Sequence, residues 1–336
     1  MSRIASHAGS WYSSGSVELN NDLEGWLTAV PEFTDDGESY PMDARAIIAP
    51  ASLSCPLSPR ILMLKHQNET WWIAFSKRVF ILGPSHNLYL PNCALPILTT
   101  YETPIGNLTL DLEGFLIKAL KKTGEFAEMS KRVDEKEHSI EMHLPYIRKI
   151  LEDEIKIVPI LVGALSEERE RFYGKLLAPY LNDPDNFFVI SSDFCHCSND
   201  IPNFLSHYPP PPPNRGARFD YVPTSPPTPT YEYIESLDHE GMRLIEQLDY
   251  DAFQSYLRRT NNTICGRHPI GVLLCALQAI RDQEGIDSDK SKKQMVRFVR
   301  YAQSSKVKSA RDSSVSYASA YVYLARVAGG WNAGDE

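Results

Sequence analysis

The sequence predicts an α/β protein built on a central mixed, largely parallel sheet flanked by helices. Three observations carry that expectation. Short apolar, β-branched runs alternate along the chain with stretches whose apolar residues recur every three or four positions. The runs have the character of strands buried on both faces. Two of them pass directly into polar strings, Gly83-Pro84-Ser85-His86 and Ser192-Asp193-Phe194-Cys195-His196, and in a parallel sheet the carboxyl ends of strands share one ligand-binding edge.

Taken in chain order, the runs 44–49, 78–82, 155–162 and 187–191 read as buried strands, with later candidates at 296–302 and 315–324. The last alternates in part, through Val315, Tyr317, Tyr321 and Tyr323. Helical spacing marks 17–30, 112–122, 140–151, 167–181 and 231–248. A short helix is expected at 251–259, and another over 269–282 with Pro269 at its first position. Residues 209–229 hold nine prolines and fit neither helix nor inner strand. They read as an extended surface insertion, a passive loop in preference to a ligand for SH3 or WW modules.

The 336 residues suffice for one large α/β domain or two small ones. A hydrophobic content of 43% permits a sizeable core, and the net charge of −9 argues against a nucleic-acid surface. No run approaches the ~18 apolar residues of a membrane span, and the first residues carry no secretory signal, so no membrane partner is expected. The six cysteines are scattered rather than paired in a disulfide framework. A reducing setting follows, cytoplasmic with a nuclear location also open.

Four strings hold groups able to bind a metal or move a proton. His86, Asp193 and His196 follow strands and could face one pocket; imidazole suits zinc, copper or iron, and a carboxylate or thiolate widens the choice. In Glu137-His138-Ser139-Ile140-Glu141-Met142-His143, Ser139 is a plausible N-cap. His138 then lies at the positive end of a helix, which disfavours its imidazolium. Glu141, three residues on, could reach the same site, with His143 pointing elsewhere. Cys265 precedes Gly266-Arg267-His268-Pro269; a helix N-terminus, helped by Arg267 and His268, would lower its pKa. Taken singly, each group has a plainer reading as a cap, a solvated charge or a buried inert thiol. Motifs for a phosphate loop, a dinucleotide fold or a serine-hydrolase elbow are absent.

Longer strings add a resemblance. Ser6-His7-Ala-Gly-Ser-Trp11-Tyr12, Ile47-Ile-Ala-Pro50, Phe80-Ile-Leu-Gly-Pro-Ser-His86, EHSIEMHLPY from Glu137, and Val162-Gly-Ala-Leu-Ser166 stand in that order. SSDFCH from Ser191, NTICGRHPIG from Asn262, Tyr301-Ala-Gln-Ser-Ser305 and DSSVSYA from Asp312 follow. Together they resemble the Memo family, named for a mediator of receptor-driven cell motility, over nearly the whole chain. The prolines at 209–229 look like an insertion carried by fungal members. The resemblance implies one domain over 1–326, a tail at 327–336 without fixed structure, and a fold similar to class III extradiol dioxygenases. It also implies copper or iron bound by His86, Cys265 and a histidine after Ile-Ala-Pro, with Asp193 and His196 lining the pocket. Redox chemistry, a role in cell motility, and peptide or protein partners are implied in the same way; Trp11 and Tyr12, near the start, could line a peptide-binding cleft.

The chain departs from the family pattern where that first ligand should stand. Ala51 follows Pro50, and residues 51–76 fit the pattern poorly. Alanine coordinates nothing, so weak or absent metal binding is expected; Cys55 is a remote substitute. A mis-assigned exon boundary explains the abrupt break, in preference to an altered paralogue with a crippled site. After His196 the family's aromatic and basic stretch is also missing, and phosphate recognition wants arginine forks. Three readings follow. The first is an oxidoreductase-like metal pocket with His86 and Cys265 as ligands and Asp193, His196, His138 and Glu141 as acid–base groups. The second is a non-enzymatic peptide-binding module using the same cleft. The third is a ring-cleaving dioxygenase, which the cysteine and the alanine argue against.

Overall fold

The computed structural model describes residues 1–29, 44–51, 76–112, 116–151, 155–197, 229–284, 294–308 and 312–324. Segment 52–75, the proline-rich stretch up to 228 and the tail at 327–336 lie outside the described residues, as does Cys55.

The sheet is mixed and largely parallel, as the sequence predicts. Its strands are β1 Ser2–Arg3, β2 Ala44–Ala49, β3 Arg78–Pro84, β4 Cys93–Pro96, β5 Thr100–Tyr101, β6 Leu108–Leu110, β7 Phe126–Met129, β8 Lys156–Val162, β9 Asn186–Ser191, β10 His196–Cys197, β11 Gln294–Gln303 and β12 Ser314–Leu324. The order β6-β8-β3-β9-β2 is parallel throughout. β12 joins β2 antiparallel and carries β11 and β10. All residues of β2 and β9 are buried, which is why they read as unbroken apolar runs. The short strands β1, β4, β5, β6 and β7 escaped the sequence reading, because two to four residues give no measurable period.

Pro159 sits inside β8, an inner strand, where proline lacks a donor. Ile157 accepts through its carbonyl on the β6 side, from Asp111, and Pro159, two residues on, faces the same way. There β6 pairs only at Lys156 and Ile157, and β4 only at Leu161 and Val162. The missing N–H thus falls in the gap between two neighbouring strands.

The helices are α1 Ser16–Thr28, α2 Leu116–Lys122, α3 Lys131–Lys136, α4 His138–Glu141, α5 Leu144–Ile150, α6 Glu167–Asn182, α7 Thr230–Glu246, α8 Tyr250–Thr260 and α9 Arg267–Glu284. The single helix expected over 140–151 is in fact α4 followed by α5. Pro145, at the start of α5, has no N–H to continue the ladder from α4. Ser139 is not the cap: the Glu137 side chain caps α4 by accepting from Ser139 N at 3.1 Å. Helix α9 begins at Arg267, so Pro269 is its third residue rather than its first.

Helix α4 lies hard against the end of β3 because residue 83 is glycine. A Cβ there would stand 2.6 Å from Ser139 Oγ and 2.8 Å from Ile140 Cγ1. Ser139 Oγ also donates to Pro84 O at 2.8 Å. This contact sets His138 beside His86. The substitution Gly83→Ala should lower unfolding free energy by about 1–3 kcal/mol through overpacking. Urea denaturation measures it, and an unchanged midpoint would contradict the close approach.

Candidate functional site

Three adjacent parallel strands, β3, β9 and β2, end at one edge. Beyond those ends stand His86, Asp193 and Ala51. The site is therefore a product of strand order as much as of the strings themselves.

His86 is held by Glu137 twice. Its backbone N–H donates to Oε2 at 2.7 Å, and its ring Nδ1 meets Oε1 at 2.9 Å. Burial would raise the Glu137 pKa, but hydrogen bonds and charge from His86, with the Ser139 N–H, outweigh it and hold the carboxyl down at about 2. An ionised carboxylate only accepts, so Nδ1 carries the proton of this bond and Nε2 is left for a ligand.

His138 stacks on His86, with ring centroids 4.4 Å apart and planes 22° apart. Trp11 packs nearby at 4.7 Å, and the His7 ring is 6.2 Å away. The His138 pKa falls to about 4, first through burial and then through the charge of His86, against the opposing pull of Glu137. A neutral imidazole was expected here, but on account of a helix end; α4 has only four residues, and desolvation is the larger cause. His86, Glu137 and His138 offer ligand atoms that all lie within 4.8 Å of one another.

Glu141 does not join His138. It is fully buried and binds Arg3 at 2.6 Å, His7 N at 2.8 Å, His7 Nδ1 at 2.7 Å and Tyr12 OH at 2.9 Å. Burial opposes its ionisation, but Arg3 and His7 keep its pKa lowered. Glu141 thus fastens the Ser6–Tyr12 string to the site wall and leaves Trp11 46% exposed at the rim. Arg3 extends the fastening, donating to Asp134 and to the Glu137 carbonyl.

On the other side Asp193 and Cys265 clasp each other. Asp193 N donates to Cys265 Sγ at 3.1 Å, and Cys265 N donates to Asp193 O at 3.2 Å. Gly266 permits this approach: a Cβ there would meet Ser192 Cβ at 2.3 Å and Ser191 O at 2.5 Å. Asp193 Oδ1 accepts from the buried Ala51 N–H at 2.9 Å. His196 Nε2 lies 3.6 Å from Asp193 Oδ2, beyond a hydrogen bond, and its backbone is held by Thr263 Oγ1 at 2.7 Å.

Two expectations for Cys265 are corrected. Its pKa is raised well above the ordinary thiol value by burial and then by the Asp193 charge, not lowered. His268 does not activate it, because His268 Nδ1 is engaged by Glu170 at 2.6 Å. His143 lies apart from the His86 group. It is buried at 1% exposure, and its Nε2 has no hydrogen-bond partner among the described residues. Burial lowers its pKa to about 4 against an upward pull from Asp193.

The sequence reading passed over Glu137, His7 and Arg3 as site residues. Glu137 and His7 stood inside the quoted strings, but only the fold shows what each imidazole leans on.

A parallel-sheet edge that gathers imidazoles, carboxylates and a thiol defines an α/β protein with a built polar pocket. Comparison with known proteins gives its family. A family model described as Memo-like protein matches residues 3–321. Protein MEMO1 of Rattus norvegicus is 44% identical over 324 residues, covering 94% of this chain and 95% of that protein. Protein MEMO1 of Homo sapiens matches to the same extent. The Protein memo-1 homolog of Caenorhabditis elegans is 38% identical over 332 residues, covering 96% of this chain and 83% of its own. The chain belongs to the Memo-like family. Among the described residues no helix is long and apolar enough to cross a membrane.

The histidine shifts set a pH response. His138 and His143 titrate near 4 when folded, against an ordinary value of 6.5. Between those values the unfolded chain binds more protons, so stability falls as pH drops from 6.5 to 4. Asp134, raised to about 6 by burial against the pull of Arg3, acts oppositely from 3.8 upward. Replacing His143 by leucine should flatten the acid loss seen in urea titrations at pH 7 and pH 4.5. An equal loss in both proteins would contradict the assignment.

Proposed function

We propose that this chain is a metal-binding, redox-type Memo-like protein whose pocket is one donor short. The observation that carries the reading is the anchoring of His86: Glu137 occupies Nδ1 and leaves Nε2 free for a ligand. The donor chemistry fits copper or iron in kind, with imidazole at His86, a thiol at Cys265 and carboxylate at Asp193. It falls short in number, because Ala51 brings only a backbone N–H, already bound to Asp193. A bound copper or iron ion would supply one-electron chemistry. The chain's own residues would hold the ion (His86, Cys265) and keep exchangeable protons nearby (Asp193, His196). A cation beside Cys265 would favour the thiolate that burial opposes. Glu141 takes no acid–base role in this reading, since its oxygens are committed to Arg3, Ser6, His7 and Tyr12. Family membership supports a place in redox signalling or in control of cell motility and the cytoskeleton.

Ring cleavage is disfavoured. His86, His138 and Glu137 superficially form a two-histidine, one-carboxylate set. Both Glu137 oxygens, however, already accept from His86 and Ser139, so the carboxylate serves as a holder.

Titration of the purified chain with copper(II), and anaerobically with iron(II), tests the proposal. Weak binding is expected, weakened at least tenfold further by His86→Ala and strengthened by Ala51→His. No binding in either the natural chain or Ala51→His would end this reading.

A second reading, a peptide-binding cleft, rests on exposed apolar groups at the rim: Trp11 at 46%, Leu88 at 41% and Tyr89 at 79%. Tyrosine-containing peptides, phosphorylated and not, should bind a His86→Ala/Cys265→Ala double variant and fail to bind Trp11→Ala. Loss in the double variant would tie peptide binding to the metal set instead.

A further inference from the structure

The structure points to a donor that makes good the gap at position 51. We infer that His138 supplies the second imidazole nitrogen of a copper site with His86, a deepening that rests on the metal-binding reading above.

Three of the neighbouring groups are committed. Asp193 accepts from Ala51 N through Oδ1 and lies beside His196 through Oδ2. His7 gives Nδ1 to Glu141, and its ring is 6.2 Å from that of His138. Glu137 already takes three hydrogen bonds, two from His86 and one from Ser139. His138 differs from all of these. Its ring nitrogens make no hydrogen bond among the described residues; the nearest carboxylate oxygen, Glu137 Oε1, is 3.5 Å from Nδ1. Its backbone is fixed by α4 against β3 through Gly83 and Ser139. Its ring lies face to face with that of His86, which Glu137 already orients.

The spacing suits a shared ion after a small closure. Metal–imidazole bonds run about 2.0–2.1 Å for zinc, so two nitrogens on one ion stand roughly 3–4 Å apart. Here one ligand atom each from His86, Glu137 and His138 lies within 4.8 Å of the other two. Because imidazole lone pairs lie in the ring planes, sharing an ion requires the two rings to tilt out of their stack. The Glu137 bond keeps His86 in the needed tautomer, and its charge offsets that of the cation. The result is a site of two imidazoles with water completing the set.

Two measurements test this, neither dependent on activity. Copper(II) affinity is taken by competition with a chelator for the natural chain, His138→Ala, Ala51→His and the double variant. His138→Ala should weaken binding at least tenfold, and adding Ala51→His should restore it. Separately, electron paramagnetic resonance of the copper-loaded natural chain should show coupling to two imidazole nitrogens, a readout that survives if His138→Ala fails to fold. Unchanged affinity in His138→Ala, or coupling to a single nitrogen, overturns the inference while leaving metal binding intact. Binding by Ala51→His alone also overturns it, since His138 would then not complete the site. Absence of binding in every protein removes the metal-binding reading itself, and the inference with it.

Discussion

A carboxylate taken out of water must be given hydrogen-bond donors, and Glu137 finds them in His86, 51 residues away in the chain. That one requirement joins the end of β3 to the start of α4. The same carboxylate caps α4 through Ser139, so the helix begins where the imidazole is held. The ring of His86 is thereby oriented, and His138 is laid against it. Without the Glu137 contact, the His86 ring would lose its fixed direction.

The pattern recurs nearby. Glu141 holds His7 through Nδ1 as Glu137 holds His86, and Arg3 spans both, donating to the Glu137 carbonyl and pairing with Glu141. Asp134 completes this buried network with Tyr101 and Arg3. Removing one partner from such a group leaves an uncompensated buried charge, which costs far more than a surface pair. The N-terminal residues are therefore part of the pocket wall. On the facing side the Asp193–Cys265 clasp does the equivalent work with backbone groups, closing two loops on each other across a glycine.

Much of this was legible beforehand. The long strands announced themselves by continuous apolar runs, because a parallel sheet covered on both faces admits few polar residues. His86 and Asp193 were legible because each directly follows such a run. The split between α4 and α5 could have been read from Pro145, yet apolar spacing continued across it and outweighed the proline. The pKa of Cys265 was misjudged because proximity to a helix start is visible in sequence, whereas burial and the facing Asp193 are not. Glu141 was placed beside His138 by helical spacing alone; the ring of donors from Arg3, His7 and Tyr12 pulled it to a different task.

The sequence by itself determined the fold class, the strands that build the edge, the family, and the absence of a side-chain donor at Ala51. These depend on local pattern and residue identity, which the chain carries openly. The tertiary structure decided which groups face one another: Glu137 behind His86, His138 stacked on it, Glu141 withdrawn to Arg3, and Cys265 turned to Asp193. Those pairings arise from strand order and from the need to satisfy buried charge across long separations, and no window of sequence contains both partners.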